Sequence, residues 1–208
     1  MLSKLYDHIL VKYGARFWQF RHVIDKNWVY PYMSDKAINH LHRDLLLKVI
    51  SKYEPINSIF EIGCGPGPNL IRLKEKYPEC HLMGNDISSK ACNKANTLGF
   101  NVYKQRHPTS PNKWMLPNAD IYLTDACLIY FYPIMVEQLF KNLMAKKFKA
   151  LIFCEWHDYF GSVTHKGHWI HDYNKLLPGC KITKMPDFAW SESKAWQEYG
   201  NIIEYDNR

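Results

Sequence analysis

The stretch Phe60-Glu61-Ile62-Gly63-Cys64-Gly65-Pro66-Gly67-Pro68-Asn69-Leu70 constrains the fold more than any other part of this chain. An apolar run from Ile56 to Ile62 ends beside a carboxylate and runs into three glycines at alternate positions. Pro68 then stands where a first helical residue belongs, since its missing N–H costs nothing there. The pattern predicts a strand, a tight glycine turn and a helix start. Glycine has no Cβ and tolerates positive φ, so a ligand can lie almost against such a turn. The spacing is G-x-G-x-G. A dinucleotide fingerprint needs a third glycine where Pro68 stands, and a P-loop needs a Lys-Ser or Lys-Thr pair that is missing.

Around this turn the chain alternates strands and helices. Strand one is 56–62 and its helix runs from 68 to 77, stopped by Pro78. Strand two is His81 to Asn85, followed by Asp86. Ser88 caps a helix that turns Ala91, Cys92, Ala95 and Leu98 inward and stops at Gly99. Strand three is Phe100 to Tyr103, a Pro-, Ser- and Asn-rich loop covers 105 to 118, and strand four is Ala119 to Asp125. Pro133 opens a helix with Val136, Leu139, Phe140 and Leu143 on one face and Lys146 and Lys147 at its end, and strand five is Ala150 to Glu155. A short helix near 168–177, a strand Lys181 to Lys184 and a last strand Asn201 to Tyr205 complete the pattern. Such alternation with short connections implies a doubly wound parallel sheet.

Residues 1–53 read differently. Leu2, Leu5, Ile9 and Tyr13 fall at helical spacing, and Phe17, Trp18, Phe20, Trp28, Tyr30 and Tyr32 make an aromatic-rich segment. Asp35 then caps a helix with Ile38, Leu41, Leu45, Val49 and Tyr53 on one face. The aromatics fit either plain packing onto the main domain or a lid over a site.

Length and composition narrow the class. At 208 residues the chain reads as a single domain with its own core, and 47% hydrophobic residues exclude a disordered one. No apolar run reaches the roughly 20 residues of a membrane helix, and charges at the start exclude a secretory leader. Six scattered cysteines without a C-x-x-C pair predict reduced thiols and a cytoplasmic protein. The net charge of +7 fits an anionic partner or simply a basic surface.

The glycine turn and Asp86 together resemble the first motifs of the class I S-adenosylmethionine (SAM)-dependent methyltransferases, E/D-x-G-x-G-x-G followed by an acid at the end of the second strand. Asp86 lies 19 residues beyond Gly67. The resemblance covers 56 to 155 with specific motifs and 156 to 208 in outline. It implies a Rossmann-like, seven-stranded, mostly parallel sheet with helices on both faces, its last strand antiparallel, and an N-terminal helical extension. Residues 1–53 would be a cap and 54–208 the SAM-binding catalytic core of one methyltransferase domain.

By the same resemblance Asp86 would hold the ribose hydroxyls, Glu61 the amino group, and Ile87 the adenine face. Gly63, Cys64, Gly65, Gly67 and Asn69 belong to the turn. Gln105 is a candidate for the adenine amine, and Asp125, ending strand four, would face the methionine end and the acceptor. The acceptor is read first by absences. Asp125-Ala126-Cys127-Leu128 departs from the N/D-P-P-Y/F motif of amino methyltransferases and from the Pro-Cys of cytosine C5 enzymes. Trp156-His157-Asp158 after strand five departs from the Asp-Asn pair that helps bind magnesium in catechol-type enzymes, and the histidines from 157 to 171 complete no zinc set, so no metal is expected. His157 is the candidate general base, since imidazole works near neutral pH. The expected activity is methyl transfer to O or N of a small molecule. The rivals are a nucleic-acid methyltransferase and a non-catalytic protein of the same fold.

Overall fold

The structure, a computed structural model, describes residues 22, 24–105, 114–161 and 163–208. The helix expected around Leu2 to Tyr13 and the aromatics Phe17, Trp18 and Phe20 lie outside the described residues.

Apolar residues alternate along each central strand, and the alternation builds two cores. The strands are β1 (Ser58–Ile62), β2 (His81–Asp86), β3 (Asn101–Lys104), β4 (Ile121–Asp125) and β5 (Ala150–Trp156). Ile59, Leu123, Ile152 and Cys154 face one side. Phe60, Tyr122, Leu151 and Phe153 face the other. Both faces are covered, as a parallel sheet requires. On the first side lie α3 (Leu41–Ile50), α4 (Pro68–Lys76) and α5 (Ser89–Thr97), and α6 (Pro133–Met144) closes the second side with Val136, Leu139, Phe140 and Leu143.

The sheet order is β3-β2-β1-β4-β5-β9-β8, with β8 (Lys181–Lys184) and β9 (Gly200–Asp206) supplying the last two strands. Strands β1 to β5 are parallel, and β9 runs antiparallel to both β5 and β8. The chain leaves β1 in one direction for β2 and β3, then returns to the other side as β4. That reversal opens a crevice at the C-terminal ends of β1 and β4, where open α/β sheets bind ligands. Among the described residues no helix is long and apolar enough to cross a membrane. All six cysteines are free thiols.

Three expectations change. First, Ser34, not Asp35, caps the short helix α2 (Asp35–Ile38), its Oγ accepting the Ala37 N–H at 3.3 Å. That helix follows α1 (Tyr30–Met33) and stops at Asn39, and α3 restarts beyond His40. The break resets the helical phase, so α3 buries His42, Arg43, Leu46, Leu47 and Ile50 while Leu41 stays 49% exposed. Second, Leu98 follows α5 at its C-cap and is 40% exposed. Third, the helix expected over 168–177 is mostly a hairpin. Lys166 and Gly167, both at positive φ, form the two-residue turn between β6 (Val163–His165) and β7 (His168–Ile170). Only α7 (Tyr173–Leu176) is helical, so His168 and His171 share no helix face.

Candidate functional site

The switch point holds a cavity of about 450 Å³, within the roughly 300–1,000 Å³ of small-ligand sites. Its floor is the glycine turn. Gly63, Gly65 and Gly67 have φ of +72°, +56° and +95°, values that side chains rarely tolerate. A Cβ on Gly63 would collide with Cys127 Sγ, so the turn and the β4 loop touch there. A Cβ on Gly65 would meet nothing within 4 Å, so that position opens onto the cavity.

Two polar side chains at the end of β2 hold the turn. Asn85 Oδ1 accepts the Gly63 N–H at 3.2 Å, and Asp86 Oδ2 accepts the Gly65 N–H at 3.0 Å. Asp86 Oδ1 accepts the Ser88 N–H at 2.7 Å. Burial pushes the Asp86 carboxyl up to about 6, against the pull of these N–H donors. The Ile87 N–H pulls on this carboxyl as well. Ser88 also caps α5 through Ala91 N–H, and its Oγ lies 2.8 Å from His22 Nδ1, which ties the segment before α1 to the tip of β2. Gln105 sits 2.9 Å from Asn85 Nδ2 at the cavity edge, and Ile87 lines the wall beside it.

Asn69, in the first turn of α4, bridges two carboxylates. Its Nδ2 donates to Glu61 Oε1 at 2.7 Å and to Asp125 Oδ2 at 3.0 Å. The two acids shift in opposite directions. Glu61 is 1% exposed, and burial pushes it up to about 8 despite Asn69. Burial pushes Asp125 up too, but His42, Arg43 and Asn69 together hold it well below the usual carboxylate range. His42 Nε2 lies 2.9 Å from Asp125 Oδ2, and Arg43 Nη2 lies 3.9 Å away. Among the described residues, Glu61 Oε2 and Asp125 Oδ1 are buried beside the cavity with no hydrogen-bond partner. Such orphaned acceptors are costly unless a ligand supplies donors.

Glu61, Gly63, Cys64, Gly65, Asn69, Asp86, Ile87, Gln105 and Asp125 thus come together around one cavity. Two expected site residues do not. Gly67 caps α4 with its Cα toward Ala95 and Phe100, where it serves the bend. His157 lies off the cavity lining, 5% exposed at the junction of β5 with the hairpin, its Nδ1 3.0 Å from the His171 carbonyl. The position fits a structural pin better than a base, because backbone and packed rings surround it.

The opposite wall was not legible in the motifs. His40 and His42 face each other through their Nδ1 atoms at 2.5 Å, and Trp190 stacks on the His42 ring at 4.7 Å and lies tilted against the His40 ring at 4.5 Å. His40 Nε2 meets Glu192 Oε1 at 3.1 Å. The signal available was a His-x-His-Arg run entering an otherwise apolar helix.

The fold has solved counterparts. A plantazolicin methyltransferase, crystallised with a monoazolic desmethylPZN analog and S-adenosylhomocysteine (SAH), aligns over 100% of both chains with a TM-score of 0.63 at 16% identity. The chain has the class I methyltransferase fold. Geranyl diphosphate C-methyltransferase from Streptomyces coelicolor A3(2) aligns over 81% of this chain and 79% of its own, with a TM-score of 0.61 and 11% identity. Magnesium protoporphyrin IX methyltransferase from Synechocystis PCC 6803, with bound SAM, aligns over 95% of both chains at 0.59 and 17% identity. No family model and no curated relative matches the sequence.

Proposed function

We propose that this protein is a SAM-dependent methyltransferase acting on O or N of a small molecule. The observation that carries the reading is the pair of buried, partnerless carboxylate oxygens on Glu61 and Asp125 beside an open glycine turn. A cationic ligand with N–H donors satisfies both. Asp86 at the end of β2 suits a ribose, and Ile87 suits an adenine face. When bound, SAM supplies an electrophilic methyl group on a sulfonium.

The chain's own share is alignment and enclosure. Holding two reactants in line is worth up to about 7–11 kcal/mol. The carboxylates and the aromatic wall of Trp114, Tyr130, Phe131 and Trp190 favour a cation. Residues 1–53 act as a cap on a single domain in this reading, since Pro31, Tyr32 and Ala37 wall the cavity opposite those rings. The half-open, aromatic-lined space supports a small acceptor. The solved counterparts act on different atoms by their names, one being a C-methyltransferase, so O or N rests on the sequence reading.

Titration calorimetry with SAM and SAH tests the proposal. Both bind the wild type, and Asp86→Ala weakens each by about 30-fold or more, the loss of roughly two charge-assisted hydrogen bonds. No binding of either to the folded wild type overturns it.

A further inference from the structure

The cavity wall contains a continuous chain of polar contacts, Glu192–His40–His42–Asp125, of which the cofactor reading uses Asp125 alone. Its links measure 3.1, 2.5 and 2.9 Å. Three elements meet there: the α2–α3 junction and α3 carry the histidines, β4 ends in Asp125, and the segment after Asp187–Trp190 carries Glu192. The charged and titratable groups facing the rings are these two acids and Arg43, with Glu61 behind Asn69 and Lys36 on α2 also lining the cavity.

The proton count follows from the geometry. Two Nδ1 atoms at 2.5 Å cannot both carry hydrogen, nor can two lone pairs face each other, so one proton lies between them. Asp125 Oδ2 already accepts from Asn69 and needs a donor from His42, so His42 Nε2 carries hydrogen. The one nitrogen of the pair left free to gain or lose a proton is His40 Nε2. Burial, then the neighbouring His42 charge, lowers the His40 pKa, while Glu192 opposes them.

We infer that His40 Nε2 is the proton acceptor of the site, in a pair of imidazoles that takes up one proton and no second. The inference rests on the methyltransferase reading. In the transfer the acceptor's O–H or N–H bond breaks and its proton bonds to His40 Nε2. The electron pair left on O or N forms the new bond to the methyl carbon. The C–S bond breaks with its pair going to sulfur. As His40 Nε2 gains its proton, the shared proton shifts to His42 Nδ1. The positive charge then sits against Asp125, with Trp190 stacked on the His42 ring. In that loaded state Nε2–H donates to the half-exposed Glu192 carboxylate, whose Oε1 lies 3.1 Å away, and the carboxylate passes the proton to water. His42 and Asp125 are positioning residues in this scheme.

Imidazole-nitrogen NMR on the full chain, without cofactor, reads the pair directly. One proton correlates with both Nδ1 atoms, and acidification protonates His40 Nε2 alone. Two independent imidazolium rings in folded protein at low pH overturn the inference. Glu192→Gln removes the raising influence and moves that midpoint to lower pH. A midpoint that stays or rises also overturns it. In turnover, with any hydroxyl or amine acceptor that the wild type methylates, His40→Gln lowers kcat about 100-fold. The acid limb of the rate profile disappears, and KM for SAM is unchanged. Undiminished kcat overturns the catalytic role. Failure of SAM binding would instead sink the function, leaving the NMR result standing.

Discussion

The pairs His157–His171 and His40–His42 differ in what their nitrogens touch. His157 and His171 are joined by a backbone bridge, and His171 Nε2 donates to the Leu128 carbonyl at 2.9 Å. Burial pushes His171 down to about 4 and lowers His157 as well. Carbonyl partners take one N–H and fix a neutral ring. His40 and His42 instead end on carboxylates at both sides, which favours a shared positive charge. The first pair welds the hairpin to β5 and the Leu128–Tyr130 turn. The second lines the cavity. A histidine's neighbours, more than its position in a motif, decide whether it pins structure or moves protons.

The largest expected effect separates the pairs by stability. His171→Ala leaves a buried cavity and removes one of the two donors to the Leu128 carbonyl, which keeps the Phe131 N–H, and costs about 3 kcal/mol in chemical denaturation. His40→Ala, half-buried, costs under about 1 kcal/mol. Equal losses would break the comparison. Next comes acidification. His171 folds neutral with its pKa below the unfolded value, so its contribution is fully present above pH 6.5. It is lost as pH falls toward 4, amounting to about 2–3 kcal/mol. In His171→Asn this part of the acid limb flattens; an unchanged limb would place the titration elsewhere.

Two buried glutamates sharpen the same rule with smaller effects. Glu155 is fully buried and accepts from Thr124 Oγ1 and from the N–H groups of Cys127, Leu128 and Ile129 at 2.8–3.3 Å. Glu155→Gln points an amide at those donors and costs about 2 kcal/mol. Glu61 has one donor. Its raised pKa means stability present below pH 4.5 and lost as pH rises toward 8. Glu61→Gln therefore raises the melting temperature of the ligand-free protein at pH 8, by the equivalent of about 1–2 kcal/mol. A lower melting temperature would show that Glu61 is not stored strain.

The cofactor half of the site was readable because local rules write it. Glycine spacing dictates the turn, and strand ends place Asp86 and Asp125 at the crevice. The acceptor half was not. His42 and Asp125 lie 83 positions apart, and His40 and Glu192 lie 152 apart. Only the closed sheet and the segment after β8 bring them together. The break at Asn39 also rotated α3, so the face that periodicity turned outward carries His42 and Arg43 inward. His157 stood out in the sequence by its place after β5, yet the Lys166-Gly167 turn folds the hairpin back and seals it among rings and carbonyls.

Ser88 shows how few parts join the two halves. Its N–H binds Asp86 in the floor, while its hydroxyl caps α5 and meets His22 at the start of the described chain. Viewed mechanically it is a rivet: it fastens His22 to the cavity floor, beside the separate tie that His42 makes to Asp125. A ligand that draws Asp86 toward itself pulls on the same residue that seats the N-terminal segment.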